Sequence, residues 1–315
     1  MPDSPEIWPA LPFAEWKATA KTLHMWTQIV GKIRLALTPW INHSWHVTLY
    51  VTARGLTTSP MFVGARVLQI DFDFIDHVVR FQTGEGTEKS IGLAPKSVAW
   101  FYREVMSTLA DLNVPVEINT TPNEVDPAIP FEKNETDAVY DPECANRFWR
   151  VLLQSDRVFK EFRSEFCGKC SPVHFFWGSF DLAVTRFSGR RAPEHPGGVP
   201  HLPDAVTREA YSHEVSSLGF WPGNETMPDP IFYSYAYPAP RGFSEAKVKP
   251  ALASYNAQLK EFVLPYEQMR LSEAPDAALL DFAHSTYDAA STLGNWDRAA
   301  FTEVKPRLQS PPRRS

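Results

Sequence analysis

The order of helical and strand patterns, which occurs twice along the chain, constrains the fold most. Apolar residues recur at helical spacing over residues 13–37, and this predicts an amphipathic helix that ends before Thr38-Pro39. Alternating apolar and polar residues then predict half-buried antiparallel strands at 44–55 and 68–74 and a hairpin formed by 77–82 and 90–93. A second helix is predicted over residues 95–112.

The second half of the chain repeats this order. A helix is predicted over 141–166, strands at 174–187, 211–220, 231–237 and 261–264, and a helix over 275–293. The predicted fold class is therefore α+β, with antiparallel sheet covered by helices and one central cavity. We expect an N-terminal α-β-α half over 1–140, a C-terminal α-β-α half over 141–302 packed with it as one unit, and a disordered tail over 303–315.

Two short similarities raise an internal duplication as an alternative. Each first helix is closed by a Gly-Lys pair, Gly31-Lys32 and Gly168-Lys169, and each first strand carries Val-Thr shortly before an arginine. Antiparallel α+β layering is also common without any shared origin, so both interpretations stay open at this point.

Composition and charge exclude several classes of protein. The chain has 315 residues, of which 43% are hydrophobic, enough for a large core. A net charge of -6 with both signs interspersed favours neither a nucleic-acid nor a membrane partner. Three cysteines are too few for a disulfide scaffold, and the N-terminus lacks a basic segment leading an apolar run, so a reducing, cytoplasmic setting is expected. The oligomeric state stays open.

Polar residues in the first half mark candidate ligand contacts. His24, Gln28 and Lys32 lie four residues apart, in one row along the edge of the predicted helix. His46 and Arg54 share a strand face that carries neither lysine nor glutamate, which is unlike an ordinary solvated surface. The alternative for both sets is a helix edge or sheet face in contact with water.

Residues 174–191, HFFWGSFDLAVTRFSGRR, hold the strongest candidate site. Asp181 lies among aromatic residues on both faces of the predicted strand, so its carboxylate must be paired, hydrogen-bonded or raised in pKa. We expect it to be largely buried on a cavity wall and to contact an arginine or histidine, such as Arg186 or Arg190; a purely structural ion pair is the alternative. The candidate catalytic residues are His174, Asp181, His213 and Glu214, and the further ligand-binding candidates are Lys169, Trp177 and Arg186.

Metal and cofactor signals are weak. His174, His213 and Asp181 could form a two-histidine, one-carboxylate metal site, although no HxH or HExxH spacing supports one, so metal and cofactor stay unknown. Cys167 and Cys170 have the spacing of a redox or zinc pair, but they close a helix instead of opening one, which favours small buried side chains. GxSxG, phosphate-loop and GxGxxG motifs are missing from the sequence.

The chain closely resembles an uncharacterised bacterial family known as domain of unknown function number 5996. Five segments carry the resemblance: HMWTQIVGK, TARGLTTSP, DFDFIDH, GKCSPVHFFWGSFDLAVTRFSGRRAP and YSHEVSSLGFWPG. It runs from about Trp8 to about Phe301, and its fourth motif begins at Gly168, which leaves Cys167 outside. The resemblance implies no activity, cofactor or catalytic residue.

The predicted function is therefore broad. Arg54, Arg186, Lys32 and Lys169 favour a small anionic or carbonyl-containing molecule as the ligand, held in an aromatic-walled polar cavity. The clustering of histidine and carboxyl groups favours an enzyme of open reaction type. A non-catalytic ligand-binding or sensing protein and a protein-partner module are the alternatives.

Overall fold

A computed structural model describes residues 6–301 of the chain, so the predicted tail lies outside the described residues. Within this range, the chain forms seven α-helices: α1 (Phe13–Leu37), α2 (Val98–Asp111), α3 (Pro142–Ser164), α4 (Asp204–Ala210), α5 (Tyr266–Arg270), α6 (Pro275–Leu293) and α7 (Arg298–Phe301). Among these helices, none combines the length and the apolar character needed to cross a membrane.

The first half folds into a six-stranded antiparallel sheet. Its strands are β1 (Tyr50–Val51), β2 (Gly55–Thr57), β3 (Met61–Val63), β4 (Arg66–Asp73), β5 (Val78–Thr83) and β6 (Glu88–Gly92). They pair in the order β1-β2-β4-β5-β6, and β3 also pairs with β4.

The second half folds into another six-stranded antiparallel sheet. Its strands are β7 (His174–Phe176), β8 (Asp181–Arg191), β9 (His213–Trp221), β10 (Ile231–Tyr237), β11 (Ser254–Asn256) and β12 (Glu261–Pro265). They pair in the order β11-β12-β10-β9-β8-β7.

The two sheets are joined by one pair of backbone hydrogen bonds. Leu49, just before β1, and Phe175, in β7, exchange N–H···O bonds of 3.0 and 2.9 Å. Both residues belong to a single hydrophobic core cluster with members in both halves, including Trp26 of α1 and Phe148 of α3. The backbone and the core therefore both connect the halves at this point.

The α+β class predicted from the sequence is confirmed. The bounds of α1, β10 and α6 agree with the predicted ones, because their patterns are long or end at strong breakers such as the Pro39 and Pro238 that follow them. The duplication and the central cavity are not confirmed. The two Val-Thr motifs occupy different places, since Val51 ends a two-residue strand whereas Val184 lies inside an eleven-residue one.

The strand predicted over 44–55 is largely wrong. Asn42–Ser44 form a 3₁₀ turn in which His43 and Ser44 have φ values of 62° and 56°, and these left-handed conformations cannot continue a strand. His46, which was expected on a polar strand face, is buried, and so is Thr48. The alternation in the sequence therefore does not correspond to a half-exposed strand here.

The strand predicted over 174–187 is two strands. Trp177 to Phe180 form a turn between β7 and β8, closed by a 2.8 Å hydrogen bond from the Phe180 N–H to the Phe176 carbonyl. Phe180 adopts φ 60°, which is rare for an aromatic residue and hard to read from sequence. Asp181 therefore begins β8 and does not lie in mid-strand.

Candidate active site

One face of the second sheet carries the candidate site. Side chains alternate along β10, so that Phe232 packs against Phe159 of α3 in the core while Tyr233 and Tyr235 lie on the opposite face. The strand register places Asp181 of β8 on that same face, because Ala183 is paired with Gly219 and Gly219 with Tyr233. Carboxyl and phenol groups from separate strands therefore meet there.

Tyr233 reaches across a whole strand to Asp181. Its ring lies over Gly219 of the intervening strand β9, where a Cβ atom would collide with the phenol ring. The Tyr233 hydroxyl donates a hydrogen bond to Asp181 Oδ2, and the Ser179 hydroxyl donates one to Oδ1. Glycine at this position lets β10 supply a hydroxyl group to β8.

Asp181 is buried, as predicted, but the arginine or histidine partner that was predicted for it is wrong. The residue is 7% exposed. Its hydrogen bonds come from two hydroxyl groups and not from a cation, because Arg190 is paired with Glu214 and Arg186 lies on the core face of the sheet. Burial raises the pKa of the Asp181 carboxyl, and the hydrogen bonds from Ser179 and Tyr233 oppose that rise.

Two glutamates surround this aspartate, and with it they form what we call the carboxyl cluster: Glu124, Asp181 and Glu261. Glu124 comes from the loop between α2 and α3, has φ 59°, and places its carboxyl directly over Gly178. Glu261 begins β12, one residue before the Phe262 that pairs with Ser234 of β10. A loop and two strands thus supply carboxyl groups to the surroundings of Asp181, whose charge acts on both glutamates.

Both glutamates have strongly raised pKa values. Burial, and then the nearby charge of Asp181, raise the pKa of Glu124 to about 7 and that of Glu261 to about 7. Among residues 6–301, no lysine, arginine or histidine forms an ion pair with any member of the carboxyl cluster. No cation therefore offsets the cost of ionising these three groups.

Tyrosines form the wall beside the carboxyl cluster. The Tyr211 and Tyr235 hydroxyls are 3.0 Å apart, and Tyr235 stacks on Tyr233 with ring centroids 6.1 Å apart. The His195 ring stacks on Tyr211 at 4.8 Å. Burial raises the pKa of Tyr211 to about 12, so this phenol stays protonated and able to donate a hydrogen bond near neutral pH.

Solvent still reaches this region. Glu124, Glu261, Tyr211 and Tyr235 are all partly exposed, although burial is the largest influence on the pKa of each. These four side chains are therefore largely removed from water but can still be touched from the protein surface.

The residues predicted as a row on α1 contact two segments beside the carboxyl cluster: the turn at 177–180 and the loop that carries Glu124. His24 Nε2 lies 2.8 Å from the Gly178 carbonyl, and its ring stacks on Phe180 at 4.8 Å. The Gln28 side chain accepts a hydrogen bond from the Asn123 N–H and donates one to the Asn123 carbonyl, both at 2.8 Å. Burial lowers the pKa of His24 to about 4, so its ring is neutral at pH 7.

Lys32 completes this support. Its Nζ donates a 2.6 Å hydrogen bond to Asn123 Oδ1 and lies 5.8 Å from the Trp177 ring centroid. Trp177 packs over Gly31 and donates a 2.7 Å hydrogen bond to the Val47 carbonyl. Burial lowers the pKa of Lys32 to about 8. These residues, predicted as ligand contacts, contact the loop and turn that position the carboxyl cluster.

Other predicted residues gather around His43. Lys169 Nζ lies 2.6 Å from His43 Nε2, and the His213 ring is 6.1 Å from the His43 ring. Burial and then Lys169 lower the pKa of both His43 and His213. His46 is buried and its Nδ1 accepts a 3.2 Å hydrogen bond from the Ile41 N–H.

Three predicted residues have structural contacts instead. Arg54 is 48% exposed and forms ion pairs of 2.6 and 2.7 Å with Asp73 and Asp76 in the first half of the chain. Arg186 lies 3.4 Å from the Phe162 ring centroid and donates to the Phe162 carbonyl. Glu214 pairs with Arg190 at 2.7 Å.

The residues proposed as metal ligands are not grouped around a common point. Within residues 6–301, no group of three or more His, Cys, Asp or Glu side chains is placed to hold a metal ion, so His174, His213 and Asp181 do not converge on one. Burial raises the pKa of the Cys170 thiol to about 11, whereas reactive thiols have a lowered pKa.

Two cavities are prominent, and Asp181 lines neither of them. One of about 290 Å³ is lined by residues that include Glu214, Tyr237, Arg241 and Trp296. The other, of about 200 Å³, is lined by residues that include Tyr50, Lys160 and Arg163. Of the predicted site residues, Glu214 alone lines either cavity.

Sequence reasoning missed Glu124, Glu261 and the tyrosines. The alternating IFYSYAY of β10 puts three tyrosines on one face, a signal that could have been used. Glu124 lies in a long proline-rich loop, a kind of segment that is often functional, but no pattern singles out this glutamate within it. Its position depends on the contacts of Asn123 with α1.

Comparison with known proteins gives one family. The sequence model of a family described as "Family of unknown function (DUF5996)" matches residues 8–303, which confirms the resemblance seen in the sequence motifs. A search of the curated proteins found no match, and neither did a search of the solved structures.

Proposed function

The chain belongs to the DUF5996 family, a family of unknown function, and we propose that it is an enzyme that uses the carboxyl cluster for general acid–base catalysis. The proposed substrate is a small neutral molecule with a carbonyl group. One arrangement carries the proposal: Asp181 is buried and hydrogen-bonded by two hydroxyl groups, and the partly exposed Glu124 and Glu261 are near enough for its charge to raise the pKa of each.

A carboxyl group with a pKa near the working pH is suited to proton transfer in either direction. At pH 7, a Glu124 or Glu261 with a pKa of about 7 is half protonated, so one can act as the acid while the other acts as the base. Ordinary glutamates, with a pKa of about 4.3, are almost wholly ionised and serve poorly as acids.

The reaction that suits this pair is enolisation. The ionised glutamate would take a proton from the carbon next to the carbonyl, while the protonated one donates its proton to the carbonyl oxygen, which yields a neutral enol. The Tyr211 hydroxyl, whose pKa is about 12, would stay available as a further hydrogen-bond donor.

Charge favours a neutral substrate over an anionic one at this cluster. The cations that had suggested an anion are engaged elsewhere: Lys32 bonds Asn123, and Arg54 pairs with Asp73. An anion placed beside Asp181 and two half-ionised glutamates would be repelled.

The second candidate is a binding protein without catalysis. The rings of His195, Tyr211 and Tyr237 lie within 4.8–5.2 Å of one another, which makes an aromatic surface that could hold a ligand by stacking alone. In that case the carboxyl groups would contribute hydrogen bonds but no proton transfer.

Deuterium exchange tests the enzyme directly. Wild-type protein in D₂O is incubated with a panel of neutral ketones and aldehydes, and exchange of the α-protons is followed by proton NMR. We expect exchange of at least one compound to depend on the protein and to fall about 10²-fold or more in Glu124→Gln and in Glu261→Gln. Glu225→Gln, which changes an exposed glutamate paired with Lys21, is the matched control and should keep wild-type exchange.

The two candidates give different results. The binding protein would be supported by two results together: the wild type binds a panel compound without catalysing exchange, and Glu124→Gln binds that compound with unchanged affinity. Exchange that survives in both glutamine variants would contradict a role for these carboxyls.

A further inference from the structure

Arg34 of α1 and His174 of β7 are buried close together, and although Tyr50 is hydrogen-bonded to Arg34, most of the side-chain nitrogens of the pair have no partner among the described residues. Arg34 is 7% exposed and His174 is 1% exposed. Arg34 Nε and Nη1 and both ring nitrogens of His174 lack a hydrogen-bond partner within residues 6–301. Buried polar atoms are normally satisfied, so four unsatisfied ones in two neighbouring side chains indicate a missing ligand or solvent.

Aromatic rings and further cations surround these two groups. The Tyr50 ring lies 5.6 Å from the Arg34 guanidinium and 5.6 Å from the His174 ring, and Trp45 lies 5.7 Å from His174. Burial, then the charges of Arg34 and Arg163, lower the pKa of His174 to about 3. The local potential is therefore positive.

Arg34 also lacks a negative partner. Among the residues that the structure describes, no carboxylate forms an ion pair with its guanidinium. An arginine stays charged in proteins, and a buried charge without a counter-ion is costly. A small anion would offset that cost.

A cavity of about 200 Å³ adjoins this pair. Tyr50 lines the cavity and contacts Arg34 and His174 as well. Arg163 and Lys160 also line it; Arg163 Nε donates to the Ser171 carbonyl at 2.6 Å, and Lys160 pairs with Asp156 at 2.6 Å. The cavity wall thus carries Arg163 and the Lys160–Asp156 ion pair, and behind Tyr50, which is hydrogen-bonded to Arg34, lies a guanidinium without an ion pair among the described residues.

We propose that this cavity and the Arg34–His174 pair form a binding site for a small oxyanion, a carboxylate or phosphate group, with Arg34 as its counter-ion. His174 donates a hydrogen bond to the anion through one ring nitrogen. This site is separate from the carboxyl cluster and does not depend on the proposed enolisation.

Thermal unfolding in different anions tests the site. Wild-type protein is melted in a chloride buffer and again with sodium phosphate or sodium acetate at the same ionic strength. Binding to the folded state should raise the wild-type Tm by about 2 °C at ten times the Kd. A rise with acetate alone assigns a carboxylate, and a rise with phosphate alone assigns a phosphate group.

Arg34→Met is the decisive variant. It removes the uncompensated charge and keeps an extended apolar side chain, so in chloride buffer it should unfold at the wild-type Tm or above, and neither oxyanion should raise its Tm. Arg157→Met, which changes an exposed arginine of α3 paired with Asp276, is the control and should keep the anion response.

Nitrogen NMR of the wild type gives an independent measurement. Phosphate or acetate should shift the His174 ring resonances and raise the pKa of His174 from its low value, because an anion favours the charged ring. Equal Tm values in chloride, acetate and phosphate together with unmoved His174 resonances would overturn the proposal. So would a large loss of Tm in Arg34→Met in chloride buffer, since that would show water or protein groups already satisfying the guanidinium.

Discussion

Tyr233 of β10 donates a hydrogen bond to Asp181 of β8 by lying across the intervening strand β9. The crossing is possible because Gly219, at the point of overlap, has no side chain. The donated bond favours the ionised form of Asp181, whose charge in turn raises the pKa of Glu124 and Glu261. Gly219 therefore permits the hydrogen bond that favours ionised Asp181, and through that charge it affects the protonation of both glutamates.

Gly219→Ala should disturb this link. The added methyl would collide with the Tyr233 ring, and overpacking of this kind lowers the free energy of unfolding by about 1–3 kcal/mol. Urea unfolding measures the loss. Gly92→Ala, at a strand glycine with no atom near the added methyl, is the matched control and should change stability little. If Gly219→Ala and Gly92→Ala had equal free energies of unfolding, this would contradict the packing of the Tyr233 ring over Gly219.

Asp181→Asn separates the charge of the aspartate from its shape. Without the negative charge, the pKa of Glu124 and of Glu261 should fall from about 7 toward 4.5, though not fully, because burial is the larger cause of both shifts. Carboxyl-carbon NMR titration of labelled glutamates measures the change. Unaltered glutamate pKa values in this variant would show that Asp181 does not interact with them.

The raised glutamate pKa values also predict a pH dependence of stability. A carboxyl that titrates near 7 when folded and near 4.5 when unfolded binds its proton more tightly in the folded state, so its contribution to stability is lost as pH rises from 4.5 through 7. Buried His24, with a pKa of about 4, has the opposite trend below pH 6.5, so variants must be compared with wild type.

Glu124→Gln should therefore gain stability relative to wild type as the pH rises from 5 to 8, by about 1–3 kcal/mol. Urea unfolding at each pH gives the difference. The exposed Glu225→Gln supplies the baseline, and a Glu124→Gln difference that is flat across this range would mean that Glu124 titrates normally.

Thermal unfolding should occur in one cooperative transition. The Leu49–Phe175 backbone pair and the shared core cluster connect the halves, so neither half can bury its apolar faces alone. Calorimetry tests this expectation. Two separate transitions, or a stable soluble fragment that ends near Tyr140, would contradict a shared core.

Sequence patterns predicted those parts of the fold that local physics determines. The 25-residue α1 has a continuous helical spacing and ends before Thr38-Pro39, so its bounds could be predicted. The turn at Trp177–Phe180 depends on Phe180 adopting φ 60°, which long-range contacts such as the His24 stack stabilise and which no local signal reports.

The candidate site was predictable only in part. Asp181 stood out because a carboxyl among aromatic residues requires a special environment, and its burial is confirmed. Its neighbours Glu124 and Glu261 lie 57 residues before it and 80 residues after it in the sequence. Only the tertiary arrangement of the loop and β12 brings such distant residues together, so no local motif could identify them.

The most direct test of the acid–base proposal is the protonation of Glu124 and Glu261 in the wild-type protein. Carboxyl-carbon NMR of protein labelled at glutamate, assigned with Glu124→Gln and Glu261→Gln, follows both groups from pH 3 to pH 9. The account predicts midpoints of about 7 for both residues. Midpoints near 4.5 for both would contradict it, because two fully ionised glutamates could not supply the acid that the proposed reaction needs.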